Sequence, residues 1–248
     1  MPDDLRRRFQ NWDGKGRPPQ EAFEWEKRNW QRYLGDKSIL ESLPNPIDRA
    51  GVLEAFKQVD DPDSALDAYV ASYLWGYAKA GFGPYRAERV IRLNTDLENG
   101  KDFAVELHTL ARIAMADGGA AAFEYVVDKR RADQRFFAQW APAFATKYIS
   151  FATKASDLVV TTPIMDSIVA GWFRNHCKEI GPLWLTWYSA GSYRKYTACM
   201  TEWAQDLSIE PEQVEQLIFR GTDRGGDLAP SSHSVRLGYR CRLSEGFL

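Results

Sequence analysis

Lys147 and Asp166, nineteen residues apart in this 248-residue chain, are the two side chains whose types and setting best suit covalent chemistry. Lys147 closes the run Ala141-Pro142-Ala143-Phe144-Ala145-Thr146-Lys147, a small-residue turn opening a helix that continues YISFATKA. A turn of that kind lets backbone N–H groups approach a phosphate closely. A lysine in the first helical turn feels the positive end of the dipole, which favours its neutral, nucleophilic form. Asp166, in TTPIMDS, can stabilise a cationic transition state across a cleft and shuttle a proton. Both also have plain readings: Lys147 as a solvated helix lysine, Asp166 as the N-cap of a helix over 167–178. Capping and catalysis are compatible, because a cap fixes the carboxylate's orientation.

Further candidates surround this pair. The turn Gly81-Phe82-Gly83-Pro84-Tyr85-Arg86 reads either as loop punctuation or as a binding loop, with Arg86 and Arg89 as candidate phosphate contacts. Lys129-Arg130-Arg131 with Arg135 is either a solvated helix face or a phosphate-binding surface. The groups Arg6-Arg7-Arg8 and Arg236, Arg240 and Arg242 are weaker candidates of the same kind. Three histidines (His108, His176, His233) and three cysteines (Cys177, Cys199, Cys241) show no ligand spacing, so no metal and no cofactor is expected.

Composition bounds the setting. Hydrophobic residues make up 44% and charged ones 27%, as in ordinary folded proteins. No apolar run nears the roughly 20 residues that cross a bilayer. The start MPDDLRRRFQ lacks the apolar core of a secretory signal, so a cytoplasmic, monomeric protein without membrane contact is expected. A net charge of -2 excludes a uniformly basic nucleic-acid coat but leaves room for a local basic face. Aromatic residues reach 13%, enough for a large core, a stacking surface for rings, or both. Trp184, Trp187, Tyr188, Tyr193 and Tyr196 are read mostly as core.

The elements that must position these residues are nearly all helical. Pro18-Pro19 open a helix over 20–34 that stops at Gly35. A second follows Pro46 as far as Val59, and a third is capped by Asp63 or Ser64 and runs to residue 80. The next starts in the glycine-proline turn and covers PYRAERVIRLNTDLEN. Others are expected over 102–115, 119–126, 129–139, 144–153, 164–178, 190–206 and 211–219. LVVTTP at 158–163 reads as an extended connector rather than a sheet strand, and the tail 221–248 as loop-rich.

The motif around Lys147 and Asp166 resembles the helix-hairpin-helix superfamily of DNA glycosylases, most closely its 8-oxoguanine branch. That branch carries a hairpin of the form Leu-Pro-Gly-Val-Gly-Thr-Lys, a helix, an extended loop with Val-Pro, then an aspartate. Pro142, Thr146 and Lys147 match in place, Asp166 keeps the spacing, and Pro163 lies near the expected proline. Looser similarity runs over residues 70–220, through YLWGYAKAGFGPYRAERVI and PEQVEQLIF. Both hairpin glycines are replaced, by Ala143 and Ala145, whose Cβ atoms restrict left-handed backbone angles and phosphate approach. Phe151 stands where human-type members have a pocket cysteine, and Ile168 replaces a polar ring.

The resemblance implies an all-α, two-lobed helix-hairpin-helix fold with little or no β structure. One compact unit over 1–248 would comprise a lobe of residues 46–162 and a lobe of residues 1–45 plus 163–248. It also implies a DNA partner. A base would be flipped out of the duplex, with Phe151, Trp140, Phe82 or Tyr85 forming the pocket or wedge. Ala143, Ala145, Thr146, Arg86, Arg89, Arg130 and Arg131 would hold the strand. Lys147 would attack the sugar and form a Schiff base that nicks the strand, while Asp166 stabilises the oxocarbenium-like sugar. 8-Oxoguanine is the implied substrate. Two rivals stay open: excision of a hypermodified base from bacteriophage DNA as antiviral defence, and a binding or interaction module that kept the fold without the chemistry.

Overall fold

A computed structural model describes residues 1–77, 81–181, 183, 186 and 189–220. Among them the chain forms α1 (Asp3–Asp13), α2 (Lys27–Leu34), α3 (Ser38–Ser42), α4 (Arg49–Lys57), α5 (Pro62–Tyr77) and α6 (Gly83–Asn94). These are followed by α7 (Phe103–Asp117), α8 (Gly119–Ala132), α9 (Pro142–Lys154), α10 (Ser167–His176), α11 (Ala190–Leu207) and α12 (Pro211–Arg220). The described residues contain no sheet, only isolated antiparallel bridges at Phe23–Ile47 and Asp96–Lys101. The fold is all-α.

Two helices form the centre. α5 is buried from Ala68 to Trp75 without a break, and α9 from Ala145 to Thr153. Helices apolar on every side belong inside a bundle. Accordingly α9 packs against α4, α5, α7 and α8, and α5 packs against α4, α6, α7 and α9. A second group joins α12 to α1, α10 and α11, and α11 reaches across to α8. Tyr193 and Tyr196 are core, while Trp184, Trp187, Tyr188 and the tail arginines Arg236, Arg240 and Arg242 lie outside the described residues.

The helix boundaries follow caps more than periodicity. Asp48 accepts the Gly51 N–H at 2.8 Å to start α4, and Asp102 accepts those of Ala104 and Val105 to start α7. Asp61, rather than Asp63 or Ser64, holds the Ser64 N–H at 2.8 Å over the first turn of α5. The helix expected over 20–34 begins only at Lys27. Ahead of it Phe23 exchanges backbone hydrogen bonds with Ile47, and Asn45 brackets the Trp25 backbone from both sides. These long-range bonds outcompete a local helix. The expected helix over 129–139 is also corrected: α8 carries on to Ala132, and the chain then turns through Phe137 and Gln139, both in the left-handed region. α1 and α3 were not expected at all.

Residues 158–166 form neither helix nor strand: they bend at 158 and 159 and reach an extended Asp166. Their outer part is exposed at Leu158 and Val160, and their inner part is clamped. Thr162 Oγ1 accepts the Gly119 N–H at 3.1 Å, where α8 begins. A Cβ on Gly119 would fall 2.4 Å from that oxygen, so only glycine lets α8 start there. Gly119→Ala is expected to destabilise the protein by about 2 kcal/mol through overpacking, measured by denaturant unfolding.

Candidate active site

Lys147 sits in the second turn of α9, on a helix that offers its side chain almost no water: the residue is 9% exposed. Its stem lies along α5 at Gly76, where a Cβ would come within 2.9 Å of Lys147 Cδ and 2.8 Å of Phe144 Cε1. Glycine there opens the groove the lysine occupies. The amine lies 5.4 Å from the centroid of the Phe144 ring, and among the described residues it has no ion-pair partner. Burial pushes its pKa below the usual lysine range, with Arg49 adding to the effect and Asp166 and Glu215 opposing it. A dipole acts mainly within the first turn. Desolvation, not the helix terminus, is therefore the main cause.

Asp166 is the N-cap of α10 and is half-buried. Its Oδ1 accepts from Ile168 N and Val169 N, both at 2.9 Å, which leaves Oδ2 outside the cap. The register between the two residues is set by their predecessors. Thr146 Oγ1 donates to the Met165 carbonyl at 3.0 Å and accepts from the Met165 N–H at 3.3 Å. Two further bonds hold the connector: Thr162 N–H to Thr153 Oγ1 at 2.9 Å, and Tyr196 OH to the Ile164 carbonyl at 2.5 Å.

Two charged residues that the sequence reading missed complete the site. Glu215 of α12 is 2% exposed and accepts from Arg49 Nη2 of α4 at 2.7 Å. The Arg49 guanidinium lies 4.9 Å from the centroid of Trp75, and its Nε donates to Gln20. Burial pushes the Glu215 pKa up, while Arg49 holds it down. Lys147, Asp166, Arg49 and Glu215 thus form a cluster of two cations and two anions whose fields act on one another. A signal was present: Glu215 lies on the same face of its helix as Val214, Leu217 and Ile218, all buried. An acid on an apolar stripe needs a partner.

The remaining candidates divide. Thr146 is fully buried, and its hydroxyl is bonded to the Met165 backbone. Ala145 is likewise fully buried inside α9, and Ala143 is partly buried in its first turn. Both alanines are helical, so no left-handed angle is demanded of them; that role has moved to Phe137 and Gln139. Trp140 is core, edge-on to Tyr69, Phe103 and Tyr148. The Phe151 ring is buried between Phe56 and Trp75. Arg130 donates to the carbonyls of Phe136 and Phe137, clamping the left-handed turn.

The loop candidates fare differently. Phe82 is 47% exposed and Tyr85 42%. Phe82 connects to Lys147 through a chain of rings, meeting Tyr77 edge-on at 5.6 Å while Tyr77 stacks on Phe144 at 4.6 Å; Tyr85 instead meets Tyr33 edge-on at 6.0 Å. Arg86 lies over Phe82 and donates to Tyr77 OH, and Arg89 donates to Tyr85 OH. Arg131 is exposed beside Asp128.

Among the described residues, the all-α scaffold thus holds a buried lysine amine with no ion-pair partner in register with a capped aspartate. Residues 16–219 match the family described as "Putative 8-oxoguanine DNA glycosylase OGG-like protein", and the chain belongs to that family. No curated protein and no solved structure matches it.

Because Thr146 ties Lys147 to Asp166, Thr146→Val is expected to cost about 2 kcal/mol, leaving both Met165 groups buried and unpaired. Thr146→Ser keeps the hydroxyl and recovers most of that loss. Thermal unfolding of the two variants against the parent checks the difference.

Proposed function

We propose that the protein is a DNA glycosylase that extrudes a damaged or modified base and cleaves its N-glycosidic bond, with Lys147 as nucleophile and Asp166 as electrostatic partner. The observation that carries this reading is the buried Lys147 amine, unpaired among the described residues and held in register with Asp166 through Thr146 and Met165. In a binding module that had lost its chemistry, a buried lysine would need a structural acid. The buried acid available, Glu215, is bonded to Arg49 instead.

The chemistry follows from this arrangement. The neutral Lys147 amine gives its lone pair to the sugar C1′, and the bond to the base breaks with its electron pair leaving on the base nitrogen. Positive charge builds at C1′ and the ring oxygen, where the Asp166 carboxylate stabilises it. Proton loss from the attacking nitrogen and ring opening give the Schiff base, and loss of a C2′ proton then expels the 3′ phosphate. Lyase activity therefore accompanies excision.

The family's description favours 8-oxoguanine as the base. Phe82 and Tyr85 are assigned to the gap left in the duplex, a reading supported by their exposure before and at the start of α6. Arg86, Arg89 and Arg131 are assigned to the phosphates, with DNA lying in a cleft between the lobes 46–162 and 1–45 plus 163–248. The protein acts as a monomer in the cytoplasm. Among the described residues no helix is long and apolar enough to cross a membrane.

Borohydride trapping on a duplex carrying 8-oxoguanine tests the reading. A covalent adduct is expected with the parent protein and none with Lys147→Gln, while Asp166→Asn slows trapping by about 100-fold. The trapping rate should rise with pH as Lys147 loses its proton, with a midpoint below the usual lysine value because burial lowers it. Absence of both adduct and abasic sites on 8-oxoguanine and on a panel of other modified bases would remove the glycosylase.

A further inference from the structure

The Arg49–Glu215 pair poses a question that the amine chemistry does not answer. A buried ion pair is weak evidence for stability, since apolar residues of similar volume often do as well. Yet this pair joins α4 to α12 across 166 positions of sequence and is almost closed to water. Its surroundings tie it to Lys147. Arg49 lies on Trp75, the residue before Gly76, where the lysine stem runs. Trp75 in turn packs edge-on against Phe151, one helical turn beyond Lys147.

We propose that Arg49 and Glu215 are positioning residues whose paired charges set the proton occupancy of the Lys147 amine. The charged groups that bear on that amine are Arg49 from α4, Glu215 from α12 and Asp166 from the cap of α10. α5 contributes the phenols Tyr73 and Tyr77, stacked on Phe144. Glu106 of α7 and Lys129 of α8 neutralise each other at 2.8 Å.

With both residues charged, Arg49 and Glu215 act on the Lys147 ammonium in opposite directions, while burial drives it towards the neutral form against the Asp166 charge. Without the Glu215 charge, the Arg49 cation stands uncompensated and disfavours the ammonium further. Without the Arg49 charge, Glu215 stands alone and favours it. The consequence for catalysis rests on Lys147 being the nucleophile, but the charge coupling does not.

The test is an NMR titration of the full-length protein labelled with [13Cε]lysine and free of DNA, the Lys147 signal being assigned by its loss in Lys147→Gln. Glu215→Gln, which keeps the shape and an acceptor for Arg49, should lower the Lys147 midpoint by about one pH unit. Arg49→Lys retains the charge and leaves the midpoint in place. Should Glu215→Gln not fold, Arg49→Gln reads the same coupling with the opposite sign, as a raised midpoint. A midpoint that moves in neither folded variant, or moves the wrong way, overturns the proposal. A shifted midpoint with no borohydride adduct on any DNA keeps this electrostatic role and removes the glycosylase. An adduct with an unmoved midpoint does the reverse.

Discussion

Taking a lysine side chain out of water forces a choice on the surrounding structure. The ammonium must find a carboxylate and surrender its reactivity, or the amine must be held near neutrality by its environment. At Lys147 burial lowers the pKa, and no carboxylate is paired with the amine among the described residues. The lysine lies within α9, a helix buried on every side, in a groove that exists because residue 76 of α5 has no side chain. The acid that could have quenched it, Glu215, is committed to Arg49. The four charges come from positions 49, 147, 166 and 215, so the bundle has to close before the amine acquires its environment.

That dependence explains which features were legible in the sequence. Lys147 and Asp166 stood out as candidates because their spacing is a local matter of one helix and one connector. The all-α class could be read because helical periodicity recurs along the chain. Arg49 could not, since nothing near it in sequence distinguishes it from any arginine in a first helical turn. Its role arises from a partner 166 residues away. Gly76 was equally silent, because its function is a close approach between two helices.

Four of the candidate residues share one physical feature. Trp140, Phe151, Thr146 and Arg130 were each assigned to DNA or base because their types suit such contacts. Each is instead consumed internally, by aromatic packing, a hydroxyl bonded to Met165 or a guanidinium bonded to loop carbonyls. An aromatic-rich chain must first fill its core, and residue type alone does not separate a ring that packs from one that waits for a ligand. Exposure does. By that criterion the loop residues Phe82 and Tyr85 keep their candidacy and the buried rings lose it.

The replaced hairpin glycines illustrate how a motif survives substitution. Left-handed backbone is still used before the lysine helix, but at Phe137 and Gln139. The turn is secured by Arg130 on the carbonyls of Phe136 and Phe137, and by Asn94 exchanging two hydrogen bonds with the Ala138 backbone. Such a clamp supplies from side chains the stability that glycine's freedom from steric cost would otherwise provide. α9 can then begin at Pro142 with Ala143 and Ala145 in ordinary helical geometry. Lys147 is left one residue beyond Thr146, and Asp166 one residue beyond the Met165 that Thr146 holds. The relative placement of amine and carboxylate thus rests on the buried Thr146 hydroxyl, backed by Thr153 and Tyr196 on the same connector, and not on any hairpin glycine.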